Sequence, residues 1–222
     1  MTHQAAVPIL IAALALCGGV RVASAQPLPL ERREAAQRKT QVKSPASDVA
    51  SPDGRVTVRL ELVNGVPTWQ VAYDRRTVLA RSRIGIKAGD NAAALGMLNE
   101  VSVDRSSHRQ NVKTVWGKCS SYDDHFQRFQ WTLREAQGQR RTIHVVIRVY
   151  DCGVALRYVL KASEGWGESF VLADDNTEFC FAEDHVGWAH HGERDPRGPQ
   201  TLSRFLRESG GAVKLPLVLR RD

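Results

Sequence analysis

The sequence lacks the short motifs that identify most enzymes and nucleic-acid-binding proteins. It has no P-loop, no G-x-G-x-x-G, no H-E-x-x-H and no G-x-S-x-G, which argues against nucleotide binding, zinc proteolysis and serine hydrolysis of the usual kinds. No recognition helix, zinc finger or RNA-binding signature is present either. The net charge of +7 is spread along the chain with little clustering. Nucleic acid is therefore not an expected partner.

Cysteine is scarce and unpatterned. The four cysteines include no C-x-x-C pair, so neither a zinc knuckle nor a redox motif is supported. Removal of the signal peptide described below would leave Cys119, Cys152 and Cys180. With three thiols at most one internal disulfide can form, and the sequence does not decide whether any of them pair.

The chain has a single long apolar run, Ala5–Val20, followed by Ala23-Ser24-Ala25. The run is about 16 residues long, shorter than the roughly 20 that span a bilayer, and the A-x-A pattern after it predicts a signal peptide over residues 1–25, cleaved after Ala25. We therefore expect a periplasmic or secreted protein with no membrane contact after cleavage. Residues 26–50 combine three prolines with many charges and no aromatic residue, which predicts a flexible linker.

From Ser51 onward the pattern is that of β-strands. Val56, Val58, Leu60 and Leu62 alternate with polar residues before Asn64-Gly65, a strong hairpin signal. The same alternation predicts further strands over residues 69–73, 128–134, 143–149, 154–160, 169–173, 177–181, 186–189 and 213–219. Helical periodicity is confined to Ala92–Leu98. These features predict an all-β antiparallel sandwich.

Three groups of residues could carry chemistry. Glu183-Asp184-His185, Trp188, His190-His191 and Glu193-Arg194-Asp195 could bind a metal, but their spacing matches no standard ligand set, and a solvated loop is the alternative. Asp123-Asp124-His125 favours a turn, because adjacent carboxylates on a strand point to opposite faces. Trp116 is interpreted either as a core residue or as an aromatic that stacks on sugar.

Four stretches, in this order, resemble the N-terminal domain of glycoside hydrolase family 97, secreted bacterial α-glucosidases and α-galactosidases. The resemblance spans residues 51 to about 220. The stretches are Ser51-Pro52-Asp53-Gly54, then Val115-Trp116-Gly117 with Asp124-His125-Phe126, then Ile147–Tyr158, and finally Thr177-Glu178-Phe179 with Glu183-Asp184-His185. The third stretch is the most distinctive.

This resemblance implies a β-super-sandwich of the galactose-mutarotase-like type, which packs against a catalytic (β/α)₈ barrel. The family's catalytic carboxylates and most of its calcium ligands lie on that barrel, so no catalytic residue is predicted here. The family's sandwich supplies one glutamate to the calcium. Glu193 is the best candidate and Asp195 the second, and calcium is expected only together with a barrel.

The predicted function is a non-catalytic carbohydrate-binding and support module, whose partners are carbohydrate and a separately encoded barrel. The chain ends at Asp222, and the final predicted strand would need a partner, so we expect a domain truncated at its C-terminal end. The alternatives are a free-standing periplasmic sugar-binding sandwich and a non-functional fragment of a split α-glycosidase gene.

Overall fold

The structure is a computed structural model that describes residues 47–88, 95, 97–190, 197–208 and 214–220. The signal peptide, residues 26–46 of the predicted linker and most of the Ala92–Leu98 segment lie outside these residues. The strands are β1 Ser47–Ala50, β2 Val56–Val63, β3 Val66–Tyr73, β4 Arg76–Arg83, β5 Ile86–Ala88, β6 Leu98–Lys113, β7 Ser121–Glu135, β8 Thr142–Tyr150, β9 Gly153–Val159, β10 Leu172–Asp175, β11 Val186–His190, β12 Arg197–Thr201 and β13 Lys214–Arg220. Among the described residues, the α-helix α1 spans Leu202–Glu208.

The first sheet has the order β1-β2-β3-β4, and all its pairs are antiparallel. Its central hairpin turns at Asn64 and Gly65, which both have positive φ, 51° and 76°, as a type I′ turn requires. A Cβ on Gly65 would lie 2.8 Å from Cβ of Met97, so this position also needs glycine for space. The last four residues of the predicted linker, 47–50, form strand β1. They belong to the sheet because they pair in register with β2.

The second sheet has the order β6-β7-β8-β9 and is built from successive antiparallel hairpins. Its first two strands, of 16 and 15 residues, are far longer than the five or six residues of an ordinary strand. The outer half of the β6–β7 hairpin therefore extends beyond the length of β8. This extension positions the exposed residues described below.

The two four-stranded sheets pack face to face around one core. Alternate residues of β2, β3, β7 and β8 point inward, and the largest fully buried side chains include Trp131, Tyr158, Phe129 and Leu60. The prediction of an all-β antiparallel sandwich is confirmed. Replacing a buried ring such as Phe129 with alanine would cost about 3–5 kcal/mol, because the site would lose both apolar burial and packing contacts.

Two small sheets, β10-β5 and β12-β11-β13, complete the described fold. The predicted strand over residues 177–181 forms only a single bridge, Leu79↔Phe181. The segment runs beside β4, but the Cys180 N–H donates to Ser82 Oγ at 2.9 Å, so a side-chain hydroxyl replaces a carbonyl of the regular ladder. The sequence did not predict α1, whose seven residues are too few to show a helical period. Within the described residues, no helix has the length and apolar character needed to cross a membrane.

Candidate functional site

The end of the β6–β7 hairpin, residues 114–120, carries two large apolar side chains in solvent. Val115 is 98% exposed and Trp116 is 86% exposed. The turn is held by a hydrogen bond from the Thr114 N–H to the Ser120 carbonyl at 3.0 Å, and by one from the Thr114 hydroxyl to the Cys119 carbonyl. Since large apolar side chains are normally withdrawn from water, this hairpin tip is a candidate contact surface. Of the two interpretations of Trp116, the interpretation as a core residue is wrong, because its side chain is exposed.

The face of the β6–β9 sheet that points away from the core is the second candidate surface. A row of rings crosses it, with His108 and Phe126 centred 4.9 Å apart and Phe126 and Tyr150 centred 5.2 Å apart. The guanidinium of Arg148 lies 4.5 Å from the centre of the Phe126 ring. This cation–π contact holds the arginine against the sheet.

Arginines form a second row on the same outer face. Arg128 lies directly opposite Arg148 in the β7–β8 register, and Arg157 lies on β9 two register positions further along, opposite Val146. Arg128 is bound to Asp104 at 2.9 Å and to Gln130. Burial, followed by the positive charges of Arg148 and Arg128, lowers the pKa of Arg157 below its usual value. The sequence placed these arginines at outward-facing strand positions, but gave no signal that they lie together.

A buried histidine on the outer face connects the sheet to the 3₁₀ turn Ala162–Glu164. His144 lies 3.1 Å from Thr132 Oγ1 through Nδ1 and 2.6 Å from Glu164 Oε2 through Nε2. Burial would raise the pKa of Glu164, but hydrogen bonds from Lys161 and His144 outweigh it and lower that pKa. These contacts fix the turn against the sheet.

The predicted turn at Asp123-Asp124-His125 is wrong, because these residues lie within β7. Both carboxylates have cross-strand partners on β6. Asp123 pairs with Arg109 at 3.0 Å, and Asp124 accepts a hydrogen bond from Gln110 at 3.3 Å. The adjacent carboxylates are tolerated on one strand because the facing strand supplies these partners.

The described part of the acidic and histidine-rich cluster has structural roles. Asp184 accepts hydrogen bonds from the Ser203 N–H at 2.8 Å and the Ser203 hydroxyl at 2.7 Å, which caps the start of α1. Burial raises the pKa of Asp184, but these hydrogen bonds dominate and lower it. The His185 ring packs edge-on against Phe181.

Glu193 and Asp195 lie outside the described residues, between β11 and β12. Within the described ranges, no group of three or more His, Cys, Asp or Glu residues could hold a metal ion. Calcium takes about 6–8 oxygen ligands, which two carboxylates cannot supply.

The three described cysteines are free thiols. Cys119 and Cys152 are exposed, and Cys180 is half-buried. The open question of a disulfide among them is answered within the described residues, where none forms.

Comparison with known proteins identifies the domain. Residues 49–222 match the family model described as Glycosyl-hydrolase 97 N-terminal. A curated relative, a probable retaining alpha-galactosidase of Streptomyces bingchenggensis, is 29% identical over 160 residues, which cover 72% of this chain and 24% of the relative.

Solved structures show the same fold. A Glycoside Hydrolase Family 97 enzyme from Pseudoalteromonas sp. strain K8, in complex with acarbose, matches with a TM-score of 0.68 at 20% identity, over 79% of this chain and 27% of that one. A beta-arabinopyranosidase matches with a TM-score of 0.57 at 21% identity, over 64% of this chain and 22% of that one.

The chain thus spans about a quarter of the length of the relatives it matches. Their likeness extends over most of the described sandwich, and the family model covers the chain from β1 to its last residue. The chain belongs to the glycosyl-hydrolase 97 N-terminal family.

Proposed function

We propose that this domain is a non-catalytic carbohydrate-binding and support module that works with a family 97-type catalytic barrel. Carbohydrate is its ligand and the barrel its protein partner. Nucleic acid and membrane have no part in the proposal, and export to the periplasm or the medium through the signal peptide over residues 1–25 belongs to it. In the assembled protein Glu193, or Asp195 in its place, would contribute one oxygen ligand to a calcium ion whose other ligands come from the barrel.

The exposed ring of Trp116 is the observation that carries this proposal. Indole rings bury about 150–250 Å² when covered, so an 86% exposed tryptophan leaves a large apolar area in water. The ring lies at the end of the hairpin, next to Gly117, which has a φ of 127°. The space beside Gly117 is open, because a Cβ added there would have no other atom within 4 Å. A sugar ring can therefore approach its face without obstruction.

The similar proteins support the choice of carbohydrate over other apolar ligands. One relative is a probable retaining alpha-galactosidase, and one structural neighbour was solved with acarbose. An aromatic plane exposed on a rigid hairpin suits a sugar, because the C–H face of the sugar covers the ring while its hydroxyls stay in water. The non-catalytic role is proposed because the resemblance places the family's catalytic carboxylates on the barrel.

Sugar binding is tested by isothermal titration calorimetry of the purified protein with maltotriose and with melibiose, an α-glucoside and an α-galactoside, because a fluorescence signal from Trp116 would be lost in its variants whether or not sugar binds. We expect saturable binding that Trp116→Ala abolishes, that Trp116→Phe weakens, and that Val115→Ala leaves intact. Valine 115 is the matched control, because it is the adjacent and equally exposed apolar residue. Unchanged binding in Trp116→Ala would contradict the proposal.

The non-catalytic role is tested by incubating the same protein with p-nitrophenyl α-glucoside and α-galactoside in the presence of calcium. We expect no release of p-nitrophenol. Turnover that copurifies with the protein through two columns would overturn the assignment of catalysis to the barrel.

A further inference from the structure

The outer face of the second sheet contains a shallow shelf along its edge strand, β9. Across the β8–β9 register, Tyr150 faces Gly153, Arg148 faces Ala155 and Val146 faces Arg157. Ala155 is exposed, and a Cβ placed on Gly153 would meet no other atom within 4 Å. Two small residues therefore form an open floor, with Tyr150 and two arginines around it. We call Arg148, Tyr150, Gly153, Ala155 and Arg157 the β9 shelf.

The two arginines of the β9 shelf have no carboxylate partner within the described part of the chain. Carboxylates on this face have other partners, Asp104 in Arg128, Asp124 in Gln110 and Glu164 in His144 and Lys161. Arg148 contacts the Phe126 ring, which does not neutralise its charge. Like charges that are close neighbours on a sheet destabilise it, so the sequence keeps a repulsive arrangement on this face.

An arginine in the turn between β7 and β8 shows what a purely structural role looks like in this domain. Arg141, whose side chain is only 14% exposed, meets the carboxylate of Glu135 through two nitrogens at 2.7 and 3.0 Å. A half-buried guanidinium normally obtains such a partner, because burial without one is costly. The missing partner of Arg148 and Arg157 is therefore best supplied by a ligand.

We propose that Arg148 and Arg157 bind one oxyanion group, and that this group is the carboxylate of an acidic sugar. The fork of a guanidinium matches the two oxygens of a carboxylate, and cross-strand diagonal neighbours lie about 7–8 Å apart at their Cα atoms, so both can reach one group. The floor of Gly153 and Ala155 next to the Tyr150 ring has room for a sugar ring. The choice of a sugar rests on the proposed function, whereas the oxyanion site does not.

The test is an NMR titration of the full chain with D-glucuronate, D-glucose and acetate at constant ionic strength. We expect saturable shifts with glucuronate, weaker ones with acetate and none at the β9 shelf with glucose. Arg148→Gln and Arg157→Gln should each weaken glucuronate binding about tenfold, since each removes hydrogen bonds to a charged group. Arg157→Lys should weaken it less, because it keeps the charge and loses the fork. Arg76→Gln, which removes an exposed arginine of the other sheet, is the matched control.

Several outcomes would overturn the proposal. If neither glucuronate nor acetate binds, the proposed oxyanion site does not exist. If Arg76→Gln weakens glucuronate binding as much as Arg148→Gln and Arg157→Gln do, the binding is only general charge attraction. If acetate binds as tightly as glucuronate, or if a hexaglutamate peptide binds more tightly than glucuronate, the assignment of the carboxylate to an acidic sugar is refuted. Far-UV circular dichroism checks that each variant is folded. If Arg157→Gln is not folded, Arg157→Lys is used to test the role of Arg157.

Failure of this inference is separable from failure of the proposed function. Trp116→Ala should leave glucuronate binding unchanged, since the hairpin tip and the β9 shelf are different surfaces. Arg157→Gln should likewise leave the maltotriose titration unchanged. Loss of both bindings in either variant would show that the two surfaces form one site, and would contradict their separation.

Discussion

The ion pair between Glu135 and Arg141 closes the β7–β8 hairpin, and its removal should be among the most destabilising single changes at the edge of the core. The Arg141 Nη2 and Nε atoms lie 2.7 and 3.0 Å from the two carboxylate oxygens, and the backbone N–H of Arg141 donates to Oε2 at 3.0 Å. The two side chains are only 14% and 4% exposed. The guanidinium also lies 5.0 Å from the centre of the Trp166 ring.

The variant Arg141→Met keeps the length of the side chain and removes its charge. Taking one partner from a buried ion pair costs about 3–5 kcal/mol, because the remaining carboxylate stays out of water without its counter-charge. The lost contact with Trp166 adds about 1 kcal/mol. The matched control is Arg109→Met, which breaks a pair with Asp123 of similar length, 3.0 Å, whose side chains are 69% and 47% exposed. Exposed pairs contribute about 0–1 kcal/mol.

The free energy of unfolding is measured by urea titration and followed by far-UV circular dichroism, because Trp166 fluorescence would itself respond to Arg141. We expect a loss several times larger in Arg141→Met than in Arg109→Met. The double variant Glu135→Leu/Arg141→Met should recover part of the loss, since it leaves no buried charge behind. Equal losses in the two single variants, or a loss below about 1 kcal/mol in Arg141→Met, would refute this reasoning.

Three further predictions concern the β12-β11-β13 sheet and its surroundings. Gly187→Ala should destabilise the protein by about 1–3 kcal/mol, because an added Cβ would lie 2.2 Å from the Val218 carbonyl, whereas Gly153→Ala meets open space and should be nearly neutral in the same urea titration. The pKa of Asp184 is lowered in the folded state, so its contribution is present above its unfolded pKa of about 4 and is lost as pH falls; the midpoint of thermal unfolding of Asp184→Asn should therefore fall less between pH 6 and pH 3 than that of the parent. Hydrogen exchange should reach the amides of β13 (Lys214–Arg220) before those of β8, because β13 is bonded on one side only within the described sheet, and slower exchange in β13 than in β8 would contradict this.

Period-two alternation predicted five of the eight strands of the two large sheets, β2, β3, β7, β8 and β9, whereas β1, β4 and β6 were not predicted. The pairs around Asn64-Gly65 and the alternation of Phe129, Trp131 and Leu133 both follow from one apolar and one polar face, so their strands and inward residues are confirmed by the structure. The pattern works there because one face of each strand is buried against the opposite sheet. It fails over residues 177–181, where Ser82 Oγ replaces a backbone acceptor and no local sequence signal marks the change.

Residues with partners far along the chain were also missed. The helix α1 begins where Asp184, 19 positions before Ser203, accepts hydrogen bonds from the Ser203 N–H and hydroxyl, so its cap cannot be identified by inspecting neighbouring residues. Asp123 and Asp124 were assigned to a turn because adjacent carboxylates on a strand point to opposite faces, yet Arg109 and Gln110 on β6 accommodate them within a strand. In both cases the deciding contact joins two strands or loops whose pairing is set by tertiary structure.

The functional surfaces show why outward positions are the least predictable from a sequence. An arginine at an outward strand position reads the same whether it ends in water, in an ion pair or beside another arginine. Only the cross-strand register, which places Arg128 opposite Arg148 and puts Arg157 two positions along on β9, reveals that three positive charges share one face. Trp116 was ambiguous for the same reason, since a tryptophan before a glycine suits a core and a hairpin tip equally well. The strand lengths of β6 and β7, which carry this residue beyond the end of β8, decide between them, and those lengths follow from pairing over 15 register positions that no single stretch of sequence encodes.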